Sequence, residues 1–360
     1  MSFWRGRRVL LTGHTGFKGS WLCLWLGQLG AQLCGVALDP PTNPSLFKEA
    51  RIAEAMRSEI ADIRDHQRIK QIVGEFRPEI VFHLAAQPLV RKSYVDPIGT
   101  YTTNVIGTVN VLDAVRGCDS VRAIIAITTD KCYENREWPW PYRETDRLGG
   151  YDPYSNSKAC AELVASAYRN SFFPPTKYFS HKVALATARA GNVIGGGDWA
   201  EDRLVPDIMR AFVAGQVLKI RNPNAVRPWQ HVLEPLAGYL NLAQRLCESG
   251  VKFGDAWNFG PESSNAKPVE WIVREVAAYW GKRAKWEIDN DLHLHEAHML
   301  TLDWSKASQV LNWHPILPLQ QAVQLTTEWY RRWYAGESAR DVSIEQIGHY
   351  VELLNKSDRA

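Results

Sequence analysis

Tyr154 and Lys158 stand four residues apart in Tyr154-Ser155-Asn156-Ser157-Lys158, and on a helix that spacing puts two side chains on one face. An ammonium beside a phenol favours the phenolate, which gives a base able to take a hydroxyl proton while hydride leaves the same carbon. The same spacing is also common in solvated surface pairs, so its meaning depends on where the chain puts it. Upstream, Ile127-Thr128-Thr129-Asp130-Lys131-Cys132-Tyr133 carries an apolar strand into polar side chains. Thr128 is expected to hydrogen-bond the hydroxyl that Tyr154 deprotonates. Asp130 fits a general acid if partial burial raises its pKa, and Lys131 a base only if burial or a neighbouring charge lowers its own. A solvated Asp–Lys loop pair is the plainer reading of these two.

A second group of residues is built for a phosphate. Thr12-Gly13-His14-Thr15-Gly16-Phe17-Lys18-Gly19 has G-x-x-G-x-x-G spacing, follows an apolar run and opens into a helix at Ser20. Strand before and helix after is the context that turns a glycine triplet into a dinucleotide site, with Gly13, Gly16, Phe17, Lys18 and Gly19 around the pyrophosphate at the helix N-terminus. Asp39, at the end of Val36-Ala37-Leu38-Asp39-Pro40, falls where the adenosine ribose hydroxyls should lie, and no arginine follows it directly to welcome a 2′-phosphate. NAD is therefore expected rather than NADP. Alone, Asp39 reads equally as a turn aspartate before proline. Asp62-Ile63 would cap the third strand near the adenine, and Leu84-Ala85-Ala86-Gln87 would close the fourth beside the nicotinamide ribose, both by inference from the fold.

The elements that must position these groups alternate. Strands are predicted at 8–11, 32–37, 80–84, 123–128 and 181–188, and helices at 20–29, 67–76, 104–116 and 154–170. Uniformly apolar strands alternating with helices predict a Rossmann-type, doubly wound parallel sheet, with ligands at the carboxyl edges of its strands. After about Asn192 the rhythm changes at Gly195-Gly196-Gly197, and a smaller C-terminal substrate lobe is expected. The division is an NAD-binding core over 1–191, a mainly substrate-binding lobe over 192–345 with segments returning to the core, and a polar, fraying helical tail over 346–360.

Composition excludes several classes of partner. Across 360 residues, 42 basic and 39 acidic side chains leave a formal charge of only +3, so no single-sign field marks a nucleic-acid or membrane-surface binder. The expected partner is a small molecule. Six scattered cysteines have no C-x-x-C pair or zinc spacing, which predicts a reduced, cytoplasmic chain without a metal. The segment from Met1 to Arg8 has no apolar signal region, and no run reaches the length of a membrane span. The fifteen tryptophans read as packing.

Together these motifs resemble the extended short-chain dehydrogenase/reductases, the NAD-dependent epimerase/dehydratase family, and within it the 4,6-dehydratases acting on CDP-glucose. The resemblance runs from Thr12 to Trp313-His314-Pro315. It is sharpest at His14-Thr15-Gly16-Phe17-Lys18-Gly19, Thr129-Asp130-Lys131-Cys132-Tyr133, Gly191-Asn192-Val193-Ile194-Gly195-Gly196-Gly197-Asp198-Trp199 and Arg227-Pro228-Trp229-Gln230-His231-Val232. It implies an internal redox cycle in which hydride passes from sugar C4 to NAD, water leaves across C5 and C6, and the hydride returns to C6. CDP-glucose thereby becomes a 4-keto-6-deoxy sugar nucleotide for deoxysugar (O-antigen, lipopolysaccharide) biosynthesis. Tyr154 would be the base, Lys158 and Thr128 its assistants, and Asp130 the acid for the C6 hydroxyl. Relatives acting on dTDP-glucose place Glu where this chain has Lys131, which therefore either takes the C5 proton or holds the developing enolate. Asn192 and Arg227 match positions that contact the sugar nucleotide and its diphosphate, with Arg203, Arg221 and His231 as further candidates. A second diphosphate arginine has no counterpart among His293, His295 and Glu296. A homodimer or homotetramer built on the helices at 104–116 and 154–170 is also implied.

Two other readings remain. A nucleotide-sugar 4-epimerase needs the Tyr/Lys/Thr set and NAD but no acid for a departing hydroxyl, and Asp130-Lys131 argues against it. A non-catalytic NAD-sensing regulator on the same fold commonly loses the tyrosine or the lysine; here both are intact.

Overall fold

The computed structural model describes residues 3–282, 284–289 and 300–357. Its centre is a sheet of seven parallel strands: β1 (Arg8–Thr12), β2 (Gln32–Ala37), β3 (Arg57–Ile60), β4 (Ile80–His83), β5 (Ala123–Ile127), β6 (Ala184–Ala190) and β7 (Ala256–Phe259). Their spatial order is β7-β6-β5-β4-β1-β2-β3, so the order reverses between β1 and β4, where Thr12 lies opposite His83. Such a reversal opens the crevice in which doubly wound sheets bind ligands.

The inner strands are largely apolar because helices cover both faces of the sheet, whereas the edge strand β3, Arg57-Ser58-Glu59-Ile60, is mostly half-buried and polar. Within β1, Val9 and Leu11 enter one core while Leu10 enters the other; within β5, Ile125 and Ile127 part from Ile124 in the same way. Of these six strand residues all but Ile127 are fully inaccessible, each worth about 1.5–3 kcal/mol relative to exposure. The longer helices are α1 (Phe17–Gln28), α2 (His66–Phe76), α3 (Gly107–Arg116), α4 (Pro153–Ser171), α5 (Leu204–Val213), α6 (Leu233–Ser249), α7 (Val269–Trp280), α8 (Leu319–Tyr334) and α9 (Ala339–Ser357). The predicted alternation is present, with ends moved by a few residues.

Two features depart from the sequence reading. The helix expected from Asn104 begins at Pro97, capped by Asp96 on the Gly99 N–H at 2.8 Å, and passes through a wide π turn over Thr102–Ile106 before α3. Part of the chain after Asn192 lies in the core sheet, where β7 pairs with β6 as the last strand. The segment expected to fray is the second half of α9: Gln346, Ile347 and Tyr350 are buried, with the Tyr350 ring 5.7 Å from Trp25 and its hydroxyl donating to Glu234 at 2.8 Å. Its apolar positions are few but fall on one face, which suffices to dock it. The remaining lobe adds paired strands, Val193–Ile194 with Gln230–His231, Val226–Pro228 with Ala266–Pro268, and Val217–Ile220 with Lys285–Ile288.

Candidate active site

The glycine loop is shaped by close backbone approach. Gly13 adopts φ +82°, and a Cβ there would stand 2.7 Å from the Ala85 nitrogen; one at Gly19 would collide with the Gly13 carbonyl oxygen. Gly16 caps α1 without a side-chain hydrogen bond, and no acid stands in the first turn. Unsatisfied N–H groups and the positive end of the helix therefore face the crevice, the arrangement an anionic diphosphate requires. The Thr12 hydroxyl pairs with His83 Nδ1 at 2.7 Å and accepts the Ala85 N–H at 3.1 Å, while His83 Nε2 meets Thr108 at 2.9 Å. Burial, aided by the Lys158 charge, holds His83 down at about 3, so it is a neutral strut between strands.

Asp39 is exposed just beyond β2, where the Thr15 hydroxyl donates to the Leu38 carbonyl at 2.9 Å. Asp62 accepts the Arg64 guanidinium at 2.6 and 2.8 Å, which holds its carboxyl below the usual range. Ile63 is buried. The Gln87 amide bridges Leu89 and Thr100, and its backbone N–H donates to Asn104 at 2.8 Å. Asn104 in turn donates to Ser157 on α4 at 2.8 Å, so the π turn ties the loop after β4 to the Tyr154 helix.

Asp152 caps α4 by accepting the Ser155 N–H and hydroxyl at 2.9 and 2.7 Å, with Pro153 at the first helical position, a strong start signal. Tyr154 and Lys158 are both buried on one face. The Lys158 ammonium donates to the Ile127 carbonyl at 2.9 Å, and burial lowers it to about 8 against the opposing charge of Glu162. The expected acidification of Tyr154 by Lys158 is not what dominates: burial pushes the phenol up to about 12, a Thr129 hydrogen bond pulls it down, Asp130 raises it and Arg203 lowers it.

The threonine assignment needs correcting. Thr128 turns away from the crevice and donates to the buried carboxylate of Glu162. The pleat that sends Thr128 to α4 sends the next side chain to the opposite face, so Thr129 is the one at Tyr154. Its hydroxyl donates to Asp130 Oδ1 at 2.9 Å. Asp130 is buried, and its Oδ2 has no hydrogen-bond partner among the described residues; a Cβ on Gly191 would stand 3.0 Å from it. Lys131 is part-exposed with its ammonium 3.9 Å from Asp130 Oδ1. Lys18 leaves the glycine loop with its backbone but sends its ammonium to the catalytic side, 6.0 Å from the Tyr239 ring centroid. Burial, together with the Arg203 and Lys158 charges, lowers it to about 8 against the opposing charge of Asp130.

On the far wall, Asn192 is half-buried with its carbonyl accepting the Gln230 N–H at 3.1 Å. Arg203, at the N-terminus of α5, pairs with Asp198 at 2.8 Å. Arg221 and Arg91 share Asp202 Oδ1, each at 3.1 Å. Arg227 is half-buried on its strand and donates to its neighbour's carbonyl at 3.0 Å. His231 is corrected: it is fully buried, 6.1 Å from the Trp21 ring and held down to about 3 by burial, so it is a core residue rather than a ligand contact. His293, His295 and Glu296 lie outside the described residues.

The chain matches the family described as GDP-mannose 4,6 dehydratase over residues 10–326. It is 56% identical over 355 residues to the CDP-glucose 4,6-dehydratase of Salmonella typhimurium (strain LT2), covering 99% of each chain. It belongs to the GDP-mannose 4,6-dehydratase family. A more distant relative in sequence is the dTDP-glucose 4,6-dehydratase of Xanthomonas campestris pv. campestris (strain B100), 24% identical over 95% of this chain and 99% of that one. Among solved structures, the dTDP-glucose 4,6-dehydratase of Bacillus anthracis in complex with NAD matches with a TM-score of 0.75 at 21% identity, over 92% and 98% of the two chains. The UDP-glucose 4-epimerase of Thermotoga maritima with UDP-glucose matches with a TM-score of 0.74 at 22% identity, over 91% and 99%. At those identities the likeness is one of fold, which dehydratases and epimerases share.

Within this family member, the residues that sequence reasoning passed over are Thr129, Asn104, Glu162 and Arg189. Thr129 was readable from the period of two in a strand, had the phase of β5 been known. Glu162 was readable as the next helical turn after Lys158. Nothing in the sequence marks Asn104, because its role comes from the π turn.

Proposed function

We propose that this protein is a CDP-glucose 4,6-dehydratase, converting CDP-D-glucose to CDP-4-keto-6-deoxy-D-glucose and water in deoxysugar biosynthesis, with NAD as its cofactor. The observation that carries the reading is the 56% identity over 99% of both chains to a CDP-glucose 4,6-dehydratase. The site holds the groups this chemistry needs and one that an epimerase does not, the buried Asp130.

The glycine cradle fits NAD. Gly13, Gly16 and Gly19, with the first-turn N–H groups of Phe17 and Lys18, hold its diphosphate; Asp39 takes the adenosine ribose hydroxyls, and the backbone at Leu84 and Ala85, with Lys158, borders the nicotinamide end. Bound there, NAD would supply the hydride acceptor for sugar C4 and, once reduced, the hydride donor for C6. Tyr154 takes the proton of the C4 hydroxyl, and Thr129 orients both that hydroxyl and Asp130. Lys158, kept charged, favours the phenolate that Tyr154 must form. Asp130 in its acid form protonates the departing C6 hydroxyl and ends as carboxylate. Lys131 serves the C5 step, either as the base or by holding enolate charge. Lys131→Met, followed by solvent deuterium entry at C5, separates those two roles.

The substrate's diphosphate is assigned to Arg227, with Arg203, Arg221 and Asn192 lining the same wall. The working division is a cofactor domain over 1–191 and a substrate lobe over 192–345. A homodimer or homotetramer would bury exposed Ile98, Ile106 and Leu163 on the helices at 97–116 and 153–171. A cytoplasmic setting agrees with six free cysteines; among the described residues no helix is long and apolar enough to cross a membrane.

Purified protein with NAD, offered CDP-, dTDP-, GDP- and UDP-glucose, should yield a product absorbing as a ketosugar in alkali from CDP-glucose first. No ketosugar from any of the four, or faster turnover of another nucleotide, overturns the proposal.

A further inference from the structure

Tyr154, Lys158 and Glu162 follow one another at intervals of four on α4 and share its buried face. Glu162 is 3% exposed and accepts from four donors: the Thr128 hydroxyl, the Thr187 hydroxyl at 2.7 Å, and Arg189 through Nε at 2.9 Å and Nη2 at 2.8 Å. Arg189, from β6, is equally buried and donates through Nη1 to the Tyr133 hydroxyl at 2.7 Å. Tyr133 passes the chain to Asn258 on β7 at 2.8 Å, and Asn258 donates to the Tyr142 carbonyl at 2.9 Å. The polypeptide on both sides of the crevice floor is thus tied to one carboxylate.

Such a pair is hard to explain as stabilisation. Desolvating two ions costs several kcal/mol each, and well-packed apolar residues of similar volume often do as well or better. Its position suggests another use. Burial holds Lys158, one turn away, down to about 8, and the groups that act on it come from its own helix and from the loop after β5. Glu162 on its own helix raises its pKa, as does the Cys132 thiol from the loop after β5. Lys18 from α1 and His83 from β4 feel its charge in turn. Cys132 is pushed far up by burial and stays neutral, as does His83. Glu162 is then the anion facing Lys158, with Lys18 a competing cation.

We infer that Glu162, clamped by Arg189, is a positioning residue that acts through Lys158, its carboxylate serving as the buried counter-charge that keeps the ammonium protonated for the Tyr154 proton transfer. The inference rests on the proposed roles of Tyr154 and Lys158. It assigns the Glu162 charge a function in the reaction that the other hydrogen bonds to the same carboxylate do not have.

The test is the pH profile of ketosugar formation by NAD-loaded enzyme from pH 6 to 9, with KM for CDP-glucose and thermal midpoint recorded for each variant. Glu162→Gln keeps the shape and removes the charge; its alkaline limb is expected to move down by about one pH unit, with the rate at pH 8 falling about fivefold and KM changing little. Glu162→Asp, which withdraws the charge by one methylene, should move the limb the same way by less. Thr187→Val removes a hydrogen bond to the same carboxylate without touching its charge and should leave the limb in place. If Glu162→Gln does not fold, Glu162→Asp against Thr187→Val carries the comparison. Limbs of the Glu162 variants that coincide with the parent's, or a Thr187→Val limb that shifts as far, overturn the inference. Activity surviving in Tyr154→Phe or Lys158→Met would instead sink the site assignment beneath it.

Discussion

Thr128 and Thr129 are adjacent, chemically identical and separated by the pleat of β5, so exchanging their roles is the sharpest test of this site. Thr129→Val removes the hydroxyl that contacts Tyr154 and donates to Asp130 at 2.9 Å. A hydrogen bond to a charged partner is worth about 1.5–3 kcal/mol, and if it is needed in the transition state its loss slows turnover by roughly 10- to 150-fold. Thr129 is itself buried, so a stability loss of about 1 kcal/mol should accompany the slower turnover. Thr128→Val takes one of four donors from Glu162, leaving Thr187 and Arg189 in place. That leaves the carboxylate still paired, so a loss of about 1 kcal/mol of stability is expected, with turnover within a few-fold of the parent. Initial ketosugar rates and urea midpoints on the same preparations read both quantities. A Thr128→Val enzyme that is stable but slow, beside a Thr129→Val enzyme that is fast, would refute the geometry argued for this strand end.

Gly13→Ala places a methyl 2.7 Å from the Ala85 nitrogen in a left-handed conformation, so purified protein should retain little or no NAD, measured by absorbance after denaturation. Asp130→Asn removes the acid for the C6 hydroxyl; ketosugar formation should fall by about a hundredfold or more while solvent deuterium still enters C5. Added NAD should give no sustained rise in NADH absorbance during turnover, and a steady rise would count against dehydration. Glu234 is buried against Ile316, Leu317 and Tyr350, and burial raises its carboxyl to about 7. Its folded pKa lies above the unfolded one, so the folded state binds the extra proton between roughly pH 4.5 and 7. Stability should therefore fall as pH rises through that window, by up to about 1.4 kcal/mol per unit, and level off above it. Urea midpoints at pH 5 and 8 should differ in the parent and converge in Glu234→Gln.

Much of the site was legible because its signals are local. The glycine spacing, the strand before it and the helix after it are set within a dozen residues, and the Tyr154–Lys158 pair needs only a helix to share a face. The alternation of apolar strands and helices implied the parallel sheet, since a strand buried on both faces can take few polar residues. Other parts were not legible, for reasons that differ. Thr128 was chosen over Thr129 because the phase of a strand end is set by its neighbours, here β6, where Ile127 lies opposite Ala188. His231 follows a motif rich in polar residues, yet the fold packs it against Trp21. Gln346, Ile347 and Tyr350 are widely spaced in a polar segment, and it takes the surfaces of α1, α6 and α8 to make them a docked face.

The sequence by itself determined the fold class, the place of the cofactor cradle and the pairing of Tyr154 with Lys158, because each depends on contacts between residues near in the chain. Tertiary structure decided which threonine meets Tyr154, that Asp130 Oδ2 sits in a buried site without a hydrogen-bond partner among the described residues, and that Glu162 and Arg189 pair across α4 and β6. Those facts depend on burial and on side-chain direction across strands far apart in sequence, and burial sets the price of every charge in the crevice.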